Sequence, residues 1–479
     1  MKSSTRRRRW LVGALACVAV SALAACSSSS SGGGTAAGPS SGSSSSSGTP
    51  SSSGTSSASA AAASGTVPAD IAKLWTSASG NCGDEANFVE YVCGKPGTAD
   101  PSLPPVEIGW ANDQGGSIVS EGPEATAAAQ LAVDWINKYA DGIGGHPLKL
   151  VTCFIQNSES EGKGCANQFL ADPNIHVISY GATATGAQTI DAGIAGKIPI
   201  IEGFALNPSD VTNPNTYVLY TASPFDYYAW GTFAQQVLHA KSMAIVYPQG
   251  TGFQNSAQAA VVSAKSLGIS VKSVGYDPSS TSLTGALVAA GAQTADMVVN
   301  VGGTPSTCVA IYKGLQTLGI SQDKVVGDFS CGLNSEKAAY GGDLPHWYYG
   351  EAQSGDALTD SAIGQQYRAA LAAFNASSDV SDVWYSGMFG TIATIAQFMN
   401  KIGYDKISGD TLAAATKAFR GPLLLGEPTV YCGKYPSAPA NCGGGDRFFK
   451  YGGNGVFSPV SIWTDVPLPL QKQLHAKGV

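Results

Sequence analysis

Hydroxyls in small-residue loops, thiols and a few isolated acids are the groups in this 479-residue sequence that could do chemistry. The most suggestive loop is Tyr180-Gly181-Ala182-Thr183-Ala184-Thr185, which follows an apolar run and opens a helix near Gly186. The N–H groups at that helix start, with the Thr183 and Thr185 hydroxyls, can receive an anion or a carboxylate. Equally, one of the threonines can simply cap the helix. Similar tails end other apolar runs: Trp110-Ala111-Asn112-Asp113, Glu202-Gly203-Phe204-Ala205, Gly302-Gly303-Thr304 and Gly327-Asp328-Phe329-Ser330. No catalytic signature accompanies them. The stretch from Gly327 to Gly332 misses the nucleophile-elbow spacing by one residue. An HExxH motif, a phosphate-binding loop and an intact dinucleotide fingerprint are absent. Glu159 and Glu161 read as a solvated helix start, so an enzyme is a remote reading.

Apart from Cys17 and Cys26, eight cysteines form four sequence-local couples: Cys82/Cys93, Cys153/Cys165, Cys308/Cys331 and Cys432/Cys442. None has CxxC spacing, and the histidines (His146, His176, His239, His346, His475) are scattered. No metal site and no cofactor are expected. Local disulfides are the simplest reading for an exported chain, although spacing alone does not decide connectivity.

The start of the chain bears on export. A basic cluster, Arg6 to Arg9, precedes an apolar run from Trp10 to Ala25 that is short for a membrane span and ends in small residues, as a secretory signal does. Leu23-Ala24-Ala25-Cys26 resembles the lipobox of bacterial lipoproteins. That resemblance implies cleavage before Cys26, multiple acylation at this residue, and a lipid anchor on the extracytoplasmic face of the cell membrane. Residues 26–66 read as a Ser/Gly-rich leash, too polar and too small in its side chains to fold. A flexible leash of this length reaches about 35 Å. Removing residues 1–25 takes away five positive charges and no negative ones, leaving a net charge of −12. With no later basic run, nucleic acid is excluded as a partner.

Residues 67–105 read as a Cys-containing extension packed on the main body. From Val106 onward, short apolar runs alternate with amphipathic stretches. Strands are expected at Val106–Trp110, Leu148–Cys153, His176–Tyr180 and Ile198–Glu202, with helices at Glu124–Tyr139, Gly162–Ala171 and Ala187–Ala195. A second series has strands at Ser242–Tyr247, Ser270–Tyr276, Met297–Val301 and Lys324–Phe329. Its helices are expected at Phe225–Ala240, Asn255–Leu267, Leu283–Gln293 and Ser306–Leu318. Later helices at Ser361–Phe374, Val383–Ile402 and Thr411–Phe419 return to the first series. This is an α/β class with parallel sheets in two Rossmann-like lobes, and its ligand crevice lies beyond the carboxyl ends of the strands.

The order of Ile108-Gly109, Glu121-Gly122, Val133-Asp134-Trp135-Ile136-Asn137, Gly144-Gly145-His146-Pro147-Leu148, Val177 to Thr183, Ile198-Pro199-Ile200-Ile201 and Asn207-Pro208 resembles the type I periplasmic binding proteins of branched-chain amino-acid ABC transporters. The resemblance covers roughly Val106 to Thr464. It implies two lobes joined by a three-strand hinge, with crossings near Ser223, Gly350 and Gly421. The first lobe would hold residues 106–223 and 351–421, the second 224–350 and 422–479. It also implies an extracytoplasmic monomer that captures a small amino-acid-like, amide or carboxylate ligand and delivers it to a membrane permease complex.

Carried over residue by residue, the resemblance places Thr183 at the ligand carboxylate, with Gly181, Ala182, Phe204 and Ala205 offering backbone groups. Leu206 stands where a second hydroxyl is expected, and Phe329 where an acid for the ligand ammonium is expected, with Asp328 beside it. Phe253 and Thr304 complete the second wall. Glu121 either supplies the missing acid or is simply solvated. A sensor that passes its closed state to a membrane receptor would need the same features. An adjoining permease gene would favour transport.

Overall fold

The computed structural model describes residues 65–470, apart from 115–121, 157, 184, 208, 224, 250–252, 334–335, 352, 377–381, 437 and 468. The signal, Cys26, nearly all of the leash, Glu121 and Ala184 lie outside the described residues.

Two sheets organise the chain. The first holds β1 (Val106–Asp113), β2 (Leu148–Ile155), β3 (Ile175–Tyr180), β4 (Ile200–Ala205) and β5 (Thr216–Ala222), in the order β2-β1-β3-β4-β5. Every pairing in it is parallel. The second holds β6 (Ser242–Pro248), β7 (Ser270–Tyr276), β8 (Met297–Asn300), β9 (Val325–Asp328), β10 (Tyr348–Glu351), β11 (Arg447–Gly453) and β12 (Val456–Pro459). Its order is β12-β11-β10-β9-β8-β6-β7, parallel from β7 to β10 and antiparallel where β11 and β12 close one edge.

Sequence pattern explains strand position. The central β1 is buried along its whole length, whereas the edge strand β2 alternates between buried and exposed residues. Only a strand covered on both faces tolerates a continuous apolar run. Helices α3 (Gly122–Tyr139), α4 (Glu159–Ala171) and α5 (Ala187–Ile194) belong to the first sheet. Helices α6 (Trp230–Gln236), α7 (Phe253–Ser266), α8 (Thr284–Ala290) and α9 (Pro305–Thr317) belong to the second. The later helices α10 (Ala362–Ala373), α11 (Val383–Ile402) and α12 (Gly409–Ala418) return to the first, where α11 packs on α3 and β4 and α12 on β3.

Two differences from the sequence reading bear on the topology. Thr216–Ala222, to which no element was assigned, forms the edge strand β5; its β-branched and aromatic residues suit a pleated surface. The third passage between sheets is not at Gly421. Val218 N–H donates to Ala440 O at 2.9 Å, Cys442 N–H to Val218 O at 2.9 Å, and the Tyr220 hydroxyl to Leu424 O at 2.7 Å. Leu424 and Ala440 to Cys442 are therefore laid along β5, and the chain passes to the second sheet between Gly443 and Asp446. The edge of β5 offers unpaired backbone groups, and this segment satisfies them.

The four local cysteine couples are all bonded: Cys82–Cys93, Cys153–Cys165, Cys308–Cys331 and Cys432–Cys442. The extension before β1 holds α1 (Ala69–Thr76) and α2 (Phe88–Tyr91) and is tied into the first lobe. Trp75 meets the Trp135 ring edge-on at 5.3 Å and donates its indole N–H to Gln366 Oε1 at 3.0 Å. Gln366 in turn donates to Ala86 O at 2.8 Å and accepts from Phe88 N at 3.0 Å. The Tyr91 hydroxyl pairs with Thr394 Oγ1 at 2.8 Å and accepts from Leu424 N at 2.9 Å. Trp75 is only 1% exposed. Replacing it by Ala removes that packing and one hydrogen bond to Gln366, so Trp75→Ala should lower the unfolding free energy by about 3–5 kcal/mol in a urea titration.

Candidate functional site

In open parallel sheets the ligand crevice lies beyond the carboxyl ends of the strands, here β1, β3 and β4 of the first sheet and β6, β8 and β9 of the second. On the first wall, β1 ends in Asn112 and Asp113, both buried. The Asn112 amide nitrogen donates to Gly122 O at 2.6 Å, Thr126 Oγ1 at 2.7 Å and Gln114 Oε1 at 3.0 Å. That leaves its Oδ1 lying against Gly181, where a Cβ would come within 2.4 Å. A glycine is needed at 181 for this approach.

Thr183, 3% exposed, does not present its hydroxyl to the crevice as the resemblance implied. The hydroxyl donates inward to Ala111 O at 3.1 Å, and the Thr183 carbonyl accepts from Asn207 Nδ2 at 2.9 Å. The next described amide, Thr185 N–H, donates to Asp113 Oδ2 at 2.9 Å. Helix α5 has Gly186 at its N-cap with no side-chain cap bond, so neither threonine caps it. Ala182 and Ala205 are fully buried. Phe204 is half-buried and meets Trp384, at the start of α11, edge-on at 6.0 Å. Asp382 holds that helix start by accepting from Trp384 N at 2.9 Å and Tyr385 N at 3.3 Å.

On the second wall, half-buried Phe253 opens α7, and its ring lies 2.2 Å from where a Cβ on Gly302 would stand. Thr304 is the N-cap of α9 and forms a capping box with Thr307, so its polar groups serve the helix. Phe329 corrects the sequence expectation. It is 2% exposed and packs inward on Phe457 at 5.2 Å and Tyr349 at 5.4 Å. The strand ends one residue early: Asp328 caps a 3-10 turn over Phe329–Cys331, which rotates Phe329 into the core. Asp328 itself stays half-buried at the crevice, accepting from Ser330 N at 2.8 Å and from the Tyr227 hydroxyl at 2.6 Å.

Sequence reasoning missed Tyr227, Trp384, Asn207 and Asn300. Only Tyr227 carried a signal, the aromatic cluster Phe225 to Trp230 after the first crossing. The others become visible only through tertiary approach.

The floor, where the crossings meet, is built from buried acids. Asp226 follows β5, Glu351 ends β10 and Asp446 precedes β11, and each is at most 6% exposed. Burial, then the neighbouring Asp328 carboxyl, pushes Asp226 far above the carboxylate range. Burial and the Asp226 and Glu351 carboxyls do the same to Asp446. Glu351 is pushed up to about 8 by burial, against the opposing effect of N–H bonds from Ser354 and Gln353. A second buried set, Asp191, Glu202 and Asp210, is raised by burial beneath the Thr183 wall. Among the described residues, no group of three or more His, Cys, Asp or Glu could hold a metal ion.

A family model described as periplasmic binding protein matches residues 105–434. The chain belongs to the periplasmic binding protein family. Solved structures share the fold of this binding protein at low identity. A leucine-binding protein from Thermotoga maritima MSB8 aligns with TM-score 0.59 and 13% identity, covering 75% of this chain and 99% of its own. A fatty acid ABC transporter substrate-binding protein from Thermomonospora curvata aligns at 0.61 and 15%, covering 80% and 97%. A solute binding protein from R. palustris in complex with 4-hydroxybenzoate aligns at 0.59 and 15%, covering 76% and 98%. A search of curated proteins finds no match. The binding protein thus has the type I, two-lobed α/β fold.

The floor sets a pH dependence. Unfolded, Glu351 ionises near 4.5; folded, it holds its proton to about 8. The folded form binds more protons in that window, so stability is greatest below it and falls as pH rises through it. The urea midpoint of the binding protein should fall between about pH 5 and about pH 8. Glu351→Gln, which keeps an acceptor for the two N–H groups, should flatten that slope. A midpoint that rises across this window contradicts the assignment.

Proposed function

We infer that this chain is the lipid-anchored, extracytoplasmic receptor of an ABC importer, which captures one small solute between its lobes and presents the closed form to a membrane permease. One observation carries this reading: the polar strand ends of both sheets converge on three chain crossings. Ser223, at the first crossing, meets Ser256 of α7 at 2.5 Å between hydroxyl oxygens, and Tyr227 just beyond it reaches Asp328. Two rigid lobes joined by so few segments can rotate about them, and a solute that touches both walls favours the closed state. Phe204 and Trp384 on one wall, with Phe253 and Asp328 on the other, are the proposed contacts. An amide or amino-acid-like solute of modest size suits two aromatic faces and an acceptor.

The leash and an acylated Cys26 would hold the receptor beside its permease and raise its local concentration there. Several acyl chains anchor stably where one does so only marginally. No helix among the described residues is long and apolar enough to cross a membrane, so the anchor would be the membrane attachment. The working unit is proposed to be a monomer, without nucleic acid, cofactor or catalysis.

Two measurements test this. Scattering and thermal melts of the mature protein against amino acids, amides, amines and polyols should find a compound that both compacts and stabilises it. Failure of every class would remove the solute-binding reading. Separately, Cys26→Ser should release the protein from the membrane fraction; retention there would rule out the anchor.

A further inference from the structure

The first wall already contains the partner that an anionic ligand would need to displace. Asp113 stands at the end of β1, is 3% exposed, and places Oδ2 at 2.9 Å from Thr185 N–H. Three further polar groups of that loop are also committed internally. The Thr183 hydroxyl donates to Ala111 O, Gly181 N–H donates to the same carbonyl at 2.9 Å, and the Thr183 carbonyl takes the Asn207 amide. The described strand ends at 110–114, 180–183, 204–207, 247–249, 300–304 and 328–330 include Asp113 and Asp328 and no Lys, Arg or His.

A second observation points the same way. The buried side-chain atoms at these strand ends that lack a hydrogen-bond partner include two amide oxygens, Asn112 Oδ1 and Asn300 Oδ1, in residues at most 1% exposed. Neither is a matter of amide orientation. Turning Asn112 over would set its oxygen against the Gly122 carbonyl, and turning Asn300 over would break its Nδ2 contact at 3.1 Å with Cys331 Sγ, which lies in a disulfide and can only accept. Half-buried Asp328 adds a further acceptor on the opposite wall. An unpaired buried acceptor is costly and is relieved by a donor, not by another oxygen.

We propose that Asp113 is the specificity-determining residue of the crevice: its carboxyl occupies the loop amide, excludes carboxylate-headed solutes, and selects a solute that brings hydrogen-bond donors or a positive charge. This rests on the solute-binding reading and narrows it. A donor-rich solute would answer an acceptor such as Asp328, whereas a carboxylate would meet a carboxyl group on each wall.

The test uses the mature protein with four probes: putrescine as a cation, ribose as a neutral donor-rich solute, and acetate and benzoate as carboxylates. Binding is read by calorimetry and thermal shift. The cation or the polyol should stabilise the wild type, and the carboxylates should not. Asp113→Asn keeps an oxygen acceptor for Thr185 N–H while removing the charge, and should raise carboxylate affinity about tenfold or more. Asp328→Asn should weaken the cation without admitting carboxylates, which separates selection by Asp113 from a general loss of negative charge. Carboxylate binding by the wild type, unchanged in Asp113→Asn, overturns the proposal and leaves the receptor reading intact. No response to any probe in either protein, with no small molecule copurifying, overturns both.

Discussion

The structure depends on keeping charge out of the place where its two sheets are joined. Three segments connect them, and each carries a buried carboxyl group, Asp226, Glu351 or Asp446, within electrostatic reach of the others. Ionised together, they would repel one another in a poorly solvated floor. Burial favours their neutral forms, and N–H groups of Tyr227, Gln353 and Ser354 donate to Asp226 and Glu351. The crossings can therefore be dry and closely packed while remaining few enough to act as a hinge.

The lobes are stiffened unequally around that hinge. The first is wrapped by the extension carrying α1 and α2, closed by Cys82–Cys93, and bound along β5 by Leu424 and Ala440 to Cys442. The second is closed on one edge by the antiparallel pair β11 and β12, which arrives from the third crossing. Cys308–Cys331 fastens the 3-10 turn after β9 to α9, just beside Asp328. Asp328 is thus held by hydrogen bonds beside a disulfide, the rigidity its proposed role as a binding group would need.

Much of the architecture was legible in the sequence because it rests on periodicity. Helix α11, Val383–Ile402, has the same ends as its apolar pattern, and the alternation of strand and helix predicts two parallel sheets. The site was less legible because it depends on single residues at strand ends. A strand one residue shorter than expected exchanges the roles of Asp328 and Phe329, since neighbouring side chains point to opposite faces. Thr183 has the residue type and position of a ligand hydroxyl, yet its rotamer turns it to Ala111 O. Residues 422–442 carry no regular pattern, so only their pairing with Val218 reveals which sheet they serve.

The proposed receptor would close on a small, donor-rich solute across a crevice in which Asp113 takes the anion position. Native mass spectrometry of the protein, isolated from membranes without added ligand and followed by release and fragmentation of whatever is bound, tests it most directly. One small molecule per chain that carries amine, amide or hydroxyl donors and no unpaired carboxylate is expected. A simple carboxylic acid bound in stoichiometric amount would contradict it.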